Sequence, residues 1–228
     1  NYEKTPIHGT SCLVTLMKKK QNSNQPNVPK KKSPLTAYLQ QELKDGITDE
    51  LFYTQFNAKS QLLKTWLNNR MEALSNAGYK IGGYGAAAKG MVLLNFLHGY
   101  NSKPNYQLEF VVDDALLKQN TYTPGTGIPV VTGSMFRNYA KEYQINGSGV
   151  ALIVFAWNFW KEISERLVSQ LSGIKGLHEI VCILPFPQPR IVRLALHGNG
   201  AVVEKGSVTT LTDLKFPLGP IISPSPGP

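Results

Sequence analysis

The residues best placed by type and spacing to do chemistry lie in "YKIGGYGAAAKG", residues 79–90. Gly83 and Gly85 fall where a strand would turn into a helix. A glycine turn there lets backbone N–H groups approach an anion, and the helix N-terminus adds positive potential. Tyr84 adds a hydroxyl donor. Lys89, in the first helical turn, opposes the helix dipole unless it meets an anion, which points to a phosphate contact. Asp113 closes the next apolar run, 28 positions after Gly85, where a dinucleotide-binding fold places an acid against a ribose hydroxyl. Ala88 replaces the third glycine of that fingerprint, so the loop also suits a turn that merely packs a helix on a strand.

Other candidates follow along the chain. Lys118 precedes "YTPGTGIP" (122–129), a loop able to shape a small-molecule pocket, although Pro124-Gly125 is also simply a turn dipeptide. Trp157 and Asn158 end the apolar run "VALIVFAW" (150–157), and Asn158 is equally a helix N-cap by type. His8 stands beside a strand-like run, whereas His98, His178 and His197 show no partner pattern. Cys12 and Cys182 match neither a metal-ligand spacing nor a disulfide framework, so a reducing, cytoplasmic setting is expected and no metal site.

These residues need elements to hold them. Short apolar runs at 79–85, 108–114, 128–131, 150–157 and 179–185 alternate with helical patterns ending near His98, near Tyr143 and at Leu171. Such alternation predicts an α/β, Rossmann-like, mostly parallel sheet with helices on both faces. Two amphipathic helices, 35–45 and 49–76, precede it and read most simply as core-packing elements, although a face left uncovered by a missing domain would be a partner surface. The expected organisation is a preceding-domain tail at 1–17, a basic flexible linker at 18–34, the Rossmann-like domain at 35–204 and a proline-rich tail at 205–228.

The formal net charge of +9 raises the question of nucleic acid. Residues 1–34 hold seven lysines against the single acid Glu3, so most of the excess sits in the linker rather than on a folded face with interleaved aromatics. Neither nucleic acid nor a membrane is expected as a partner, since no apolar run is long enough to span a bilayer. The chain also begins without methionine and reads as a piece of a longer protein.

In order and spacing, "GYGAAAKG" (83–90), "VVDDALLKQNTYTPGTGIPV" (111–130), "FAWNFWKEI" (155–163) and "ILPFPQPRIV" (183–192) resemble the C-terminal domain of the sugar C-methyltransferases of branched deoxysugar biosynthesis. "PIHGTSCLVTL" (6–16) is similar to the last strand of the domain that precedes it in that family. Thr10, Leu13, Asn120 and Gly127 depart from the family pattern. The resemblance implies three parts: a small zinc-binding region, a domain that binds S-adenosylmethionine, and a Rossmann-like domain closing over a nucleotide-sugar acceptor. Only the last would be whole here. It further implies that Gly83, Tyr84, Gly85, Lys89, Asp113, Lys118, Pro124, Gly125, Trp157, Asn158 and His8 serve the acceptor. The catalytic cluster would lie outside the chain, and the methyl-donor domain would come from the same or another chain. S-adenosylmethionine would belong to the full enzyme, with no cofactor expected on this chain alone. Two alternatives stand beside it: an NAD(P)-binding oxidoreductase domain and a non-catalytic binding module.

Overall fold

The structure is a computed structural model that describes residues 2–5, 11–15, 34–99, 104–196 and 203–207. His8, Thr10, nearly all of the expected linker and the proline-rich run from 208 onward lie outside the described residues. The chain divides into two units, Asn1–Leu62 and Leu63–Pro228.

In the first unit, β1 (Tyr2–Thr5) pairs antiparallel with β2 (Ser11–Val14), Tyr2 opposite Val14. Helix α1 (Pro34–Lys44) ends in a Schellman turn, with Gly46 in the left-handed region at φ 74°. There the Ile47 N–H donates to Glu42 O and the Gly46 N–H to Leu43 O. Helix α2 (Glu50–Asn76) begins in this unit and ends in the next. Of the two readings of these helices, core packing does not hold along α1 and the start of α2, where Leu39, Leu43, Leu51 and Phe56 are exposed and the apolar face is uncovered. The only sheet described in this unit has two four-residue strands and offers too little apolar surface to cover them.

The second unit carries the expected sheet. Its strands are β3 (Tyr79–Tyr84), β4 (Leu108–Val112), β5 (Thr121–Tyr122), β6 (Pro129–Val131), β7 (Gly149–Val154), β8 (Glu179–Leu184), β9 (Arg190–Ala195) and β10 (Val203–Ser207), ordered β10-β9-β8-β7-β3-β4-β6-β5. The central five, β8-β7-β3-β4-β6, are parallel, and β5, β9 and β10 add antiparallel edges. Strand β10 runs to Ser207, three residues past the boundary expected at 204.

Central strands buried on both faces must be apolar throughout, and β7 shows it. Val150, Leu152 and Val154 join the core under α4 (Gly133–Ile145) and α5 (Trp160–Leu171). Ala151, Ile153 and Phe155 join the opposite core under α3 (Ala88–His98) and the second half of α2, through Trp66, Leu67 and Met71. Every parallel strand therefore delivers its carboxyl end to one edge, where the candidate residues gather.

Candidate functional site

Strand β3 leaves the sheet through Gly85, whose φ of 89° belongs to the left-handed region. A Cβ there would stand 2.5 Å from Ala156 Cβ, so only glycine lets the turn pass the end of β7. Its N–H donates to Val112 O at 2.7 Å. Gly90 plays the packing part of the fingerprint, because a Cβ on it would meet Phe155 Cβ at 2.4 Å. Gly83 is buried within β3 against the Phe155 ring.

Asp113 is only 7% exposed, and the protein itself occupies its carboxylate. Oδ2 accepts the Ala86 N–H at 2.7 Å and lies 3.3 Å from Lys118 Nζ, while Oδ1 accepts the Ala115 N–H at 2.8 Å. Gln119 adds a side-chain bond to Asp113 O at 3.0 Å. A buried carboxylate demands such partners. The acid at the end of the second parallel strand is thus a clamp between the loops after β3 and β4, with bonds from the protein on both oxygens.

A cavity of about 320 Å³ lies on one side of this clamp, with Tyr84, Gly85, Asp113, Asp114 and Arg166 among its lining residues. Tyr84 O–H donates to Asp114 Oδ2 at 3.1 Å, and the same oxygen pairs with the Arg166 guanidinium. Burial, reinforced by the Asp114 charge, raises the Tyr84 phenol far above its ordinary range, so it remains a donor. Asp114 likewise raises Arg166 and keeps it charged.

A larger groove of about 820 Å³ lies on the other side, between α3 and the β4–β6 connections. Lys118 and Tyr122 enter from one wall, Met91 and Val92 from α3. The third wall is a turn built on Thr123, whose Oγ1 accepts the Ile128 N–H at 2.9 Å and lies 2.7 Å from Thr126 Oγ1. Asn95 Nδ2 donates to Met91 O at 2.8 Å and to Pro124 O at 3.0 Å, tying the turn to α3. Gly125, at φ 82°, sits so close to Asn95 that a Cβ would fall 2.0 Å from its Oδ1.

The structure thus brings Tyr84, Gly85 and Asp113 to the small cavity and Lys118 and Pro124 to the groove. Gly83 and Gly125 support those walls from behind. Lys89 is exposed in the first turn of α3 and lines neither space. Trp157 opens a 3-10 turn, Trp157–Phe159, and faces Phe186 at a ring separation of 5.9 Å. Asn158 lies exposed inside that turn, and the N-cap of α5 is Phe159 instead. Sequence reasoning missed Asp114, Glu162 and Arg166. Phe159, Glu162, Ile163 and Arg166 are spaced three and four apart, a helical stripe that was legible, but their pairing with Asp114, 52 positions from Arg166, was not. Among the described residues no group of three or more His, Cys, Asp or Glu side chains suits a metal ion, and no helix is long and apolar enough to cross a membrane.

Comparison with known proteins bears on the family. Residues 6–184 match the family described as C-methyltransferase C-terminal domain. A curated relative, C-methyltransferase NovU of Streptomyces niveus, is 24% identical over 154 residues, covering 68% of this chain and 33% of that protein. The chain therefore spans about a third of that relative's length. Because the family match takes in most of the sequence and both walls of the glycine loop, this chain belongs to the C-methyltransferase C-terminal domain family.

Proposed function

We propose that this chain is the acceptor side of an S-adenosylmethionine-dependent sugar C-methyltransferase, binding a nucleotide sugar against a methyl-donor domain of the same or another chain. The observation that carries the reading is the 820 Å³ groove at the carboxyl edge, into which Asp113 holds Lys118. A nucleotide sugar needs a cation for its diphosphate, apolar area for its base and hydroxyl-bearing walls. Lys118, then Met91, Val92 and Tyr122, then Thr121 and Thr123 meet those needs in turn. Ala87, the N-cap of α3, makes no side-chain cap, which leaves the first N–H groups of the helix to favour an anion.

Membership of a C-methyltransferase family implies S-adenosylmethionine in the full enzyme. The described residues suit that group poorly, because Asp113, where such a fold receives an adenosine ribose, is already engaged by Ala86, Ala115 and Lys118. No step of methyl transfer is assigned to this chain. The same engaged carboxylate counts against the NAD(P)-binding alternative.

Calorimetric titration with a thymidine-diphosphate sugar, a uridine-diphosphate sugar, NAD, NADP and S-adenosylmethionine tests the reading. The expected result is heat from a sugar nucleotide and none from the others. Tight NAD or NADP binding would turn the assignment to an oxidoreductase domain, and a folded chain silent to both sugar nucleotides would contradict acceptor binding.

A further inference from the structure

We propose that the first half of α2, with the end of α1, is a homodimer interface, and that its occupant is the same segment of a second copy of this chain in antiparallel register. The inference is independent of acceptor binding, since no residue of this face lines the groove or the cavity.

The helix itself shows where a partner is needed. α2 spans 27 residues, about 40 Å. Leu63, Leu67 and Met71, spaced four apart, pack into the core. The same stripe followed back toward the start of the helix reaches Phe56 and Phe52, which are 64% and 37% exposed. From Glu50 to Leu62 no residue is buried. A helical stretch of about that length is marginal in water by itself, so its apolar stripe needs something to pack against.

The exposed surface is close to what a dimer requires. Leu39, Leu43, Phe52, Tyr53 and Phe56 leave roughly 550 Å² open in one copy. Two copies bury about 1,100 Å² from these side chains alone, and a polar rim brings the pair into the ~1,200–2,000 Å² of specific interfaces. The Phe52 and Tyr53 rings already stand edge to face at 5.3 Å. They form a fixed aromatic anchor of the kind that dominates interface energy.

Self-complementarity selects a second copy as the occupant. Phe52 and Phe56 lie symmetrically about position 54. A two-fold axis there sets Phe52 of each copy against Phe56 of the other, the isologous arrangement of a closed dimer. Glu50 and Lys59 are the only charged residues from 50 to 62. Antiparallel pairing therefore lays the acidic end of one segment beside the basic end of the other, and no like charges are forced together.

Sedimentation velocity of the chain from about 1 to 200 µM tests the proposal, because an interface at the small end of the range gives a micromolar Kd. The expected result is a shift with concentration from the 25.2 kDa monomer to a species of twice that mass. Phe52→Glu and Phe56→Glu should each weaken dimerisation at least about tenfold. Neither side chain is buried, so melting temperatures at low concentration should stay within about two degrees of wild type. Hydrogen exchange on the wild type locates the interface without any substitution: amides in residues 52–62 should exchange more slowly as concentration rises. A 25.2 kDa species throughout would overturn the proposal and leave the face to a domain outside this chain. A dimer that survives both substitutions, or that protects other segments and leaves this one unchanged, would overturn it as well.

Discussion

Lys118 is held rather than free, and that separates its two possible contributions. Its ion pair with Asp113 is 3.3 Å long, with the lysine side chain 45% exposed, so the pair adds little to stability, on the order of 0–1 kcal/mol. Lys118→Ala should accordingly leave the melting temperature within a degree or two, measured by differential scanning fluorimetry, while weakening a sugar nucleotide about tenfold in calorimetry. Asp113 behaves in the opposite sense. Asp113→Asn keeps the shape but removes the charge that collects two backbone donors and Lys118, and Asn must turn an N–H₂ toward one of those donors. Urea denaturation should show a loss of about 1–3 kcal/mol. At this scale the sequence marks Asp113 by its place at the end of a strand, where a ligand contact and a turn role are both open to an aspartate, and only the geometry shows its bonds to Ala86 and Ala115. Tyr84 shows a similar limit, since nothing in its neighbours along the chain points to Asp114 or Arg166.

Among the elements, the glycine loop and the Thr123 turn carry the walls of the candidate site. Gly85→Ala should be among the most damaging small substitutions in the molecule, because it opposes both a φ of 89° and the 2.5 Å approach to Ala156. A loss of at least about 2 kcal/mol by urea denaturation is expected, with the far-ultraviolet spectrum retained at low denaturant. Thr123→Val removes the acceptor of the buried Ile128 N–H and should cost about 1–2 kcal/mol. It should also weaken sugar-nucleotide binding, because the turn forms one wall of the groove. The parallel strands and their helices were legible because each is a continuous apolar run or an amphipathic stripe, as β7 and α5 show. Strand β9 was hidden behind "PFPQP", whose prolines mask the alternation that follows in "RIVRLA". Helix α1 and the start of α2 were legible as helices, but whether their apolar face is packed or uncovered was not, since periodicity records an apolar face and not what covers it.

For the molecule as a whole, burial of phenols links folding to alkaline pH. Tyr84, Tyr106 and Tyr143 are all raised, with burial the leading cause in each, and Glu109 adds to the shift of Tyr143. Their folded values lie above the ordinary value of about 10, so the unfolded chain releases these protons first. The stability they contribute is fully present at pH 8 and declines as pH rises above about 10. Urea midpoints should therefore fall between pH 8 and pH 11, and the fall should be smaller in Tyr106→Phe, whose shift comes from burial alone. The family was readable from four separated motifs, the fold from the alternation of apolar runs with helical patterns, and both direct the candidate site to the carboxyl edge of the sheet. The division of that edge into a groove and a cavity was not, because it depends on how Asp113 ties two loops together. The most direct test of acceptor binding is nuclear magnetic resonance of the ¹⁵N-labelled chain titrated with thymidine-diphosphate glucose. The amides of Ala88, Lys118, Tyr122 and Thr123 should shift together and saturate, whereas a titration that leaves all four unmoved, or moves only residues far from β4 and α3, would contradict the assignment.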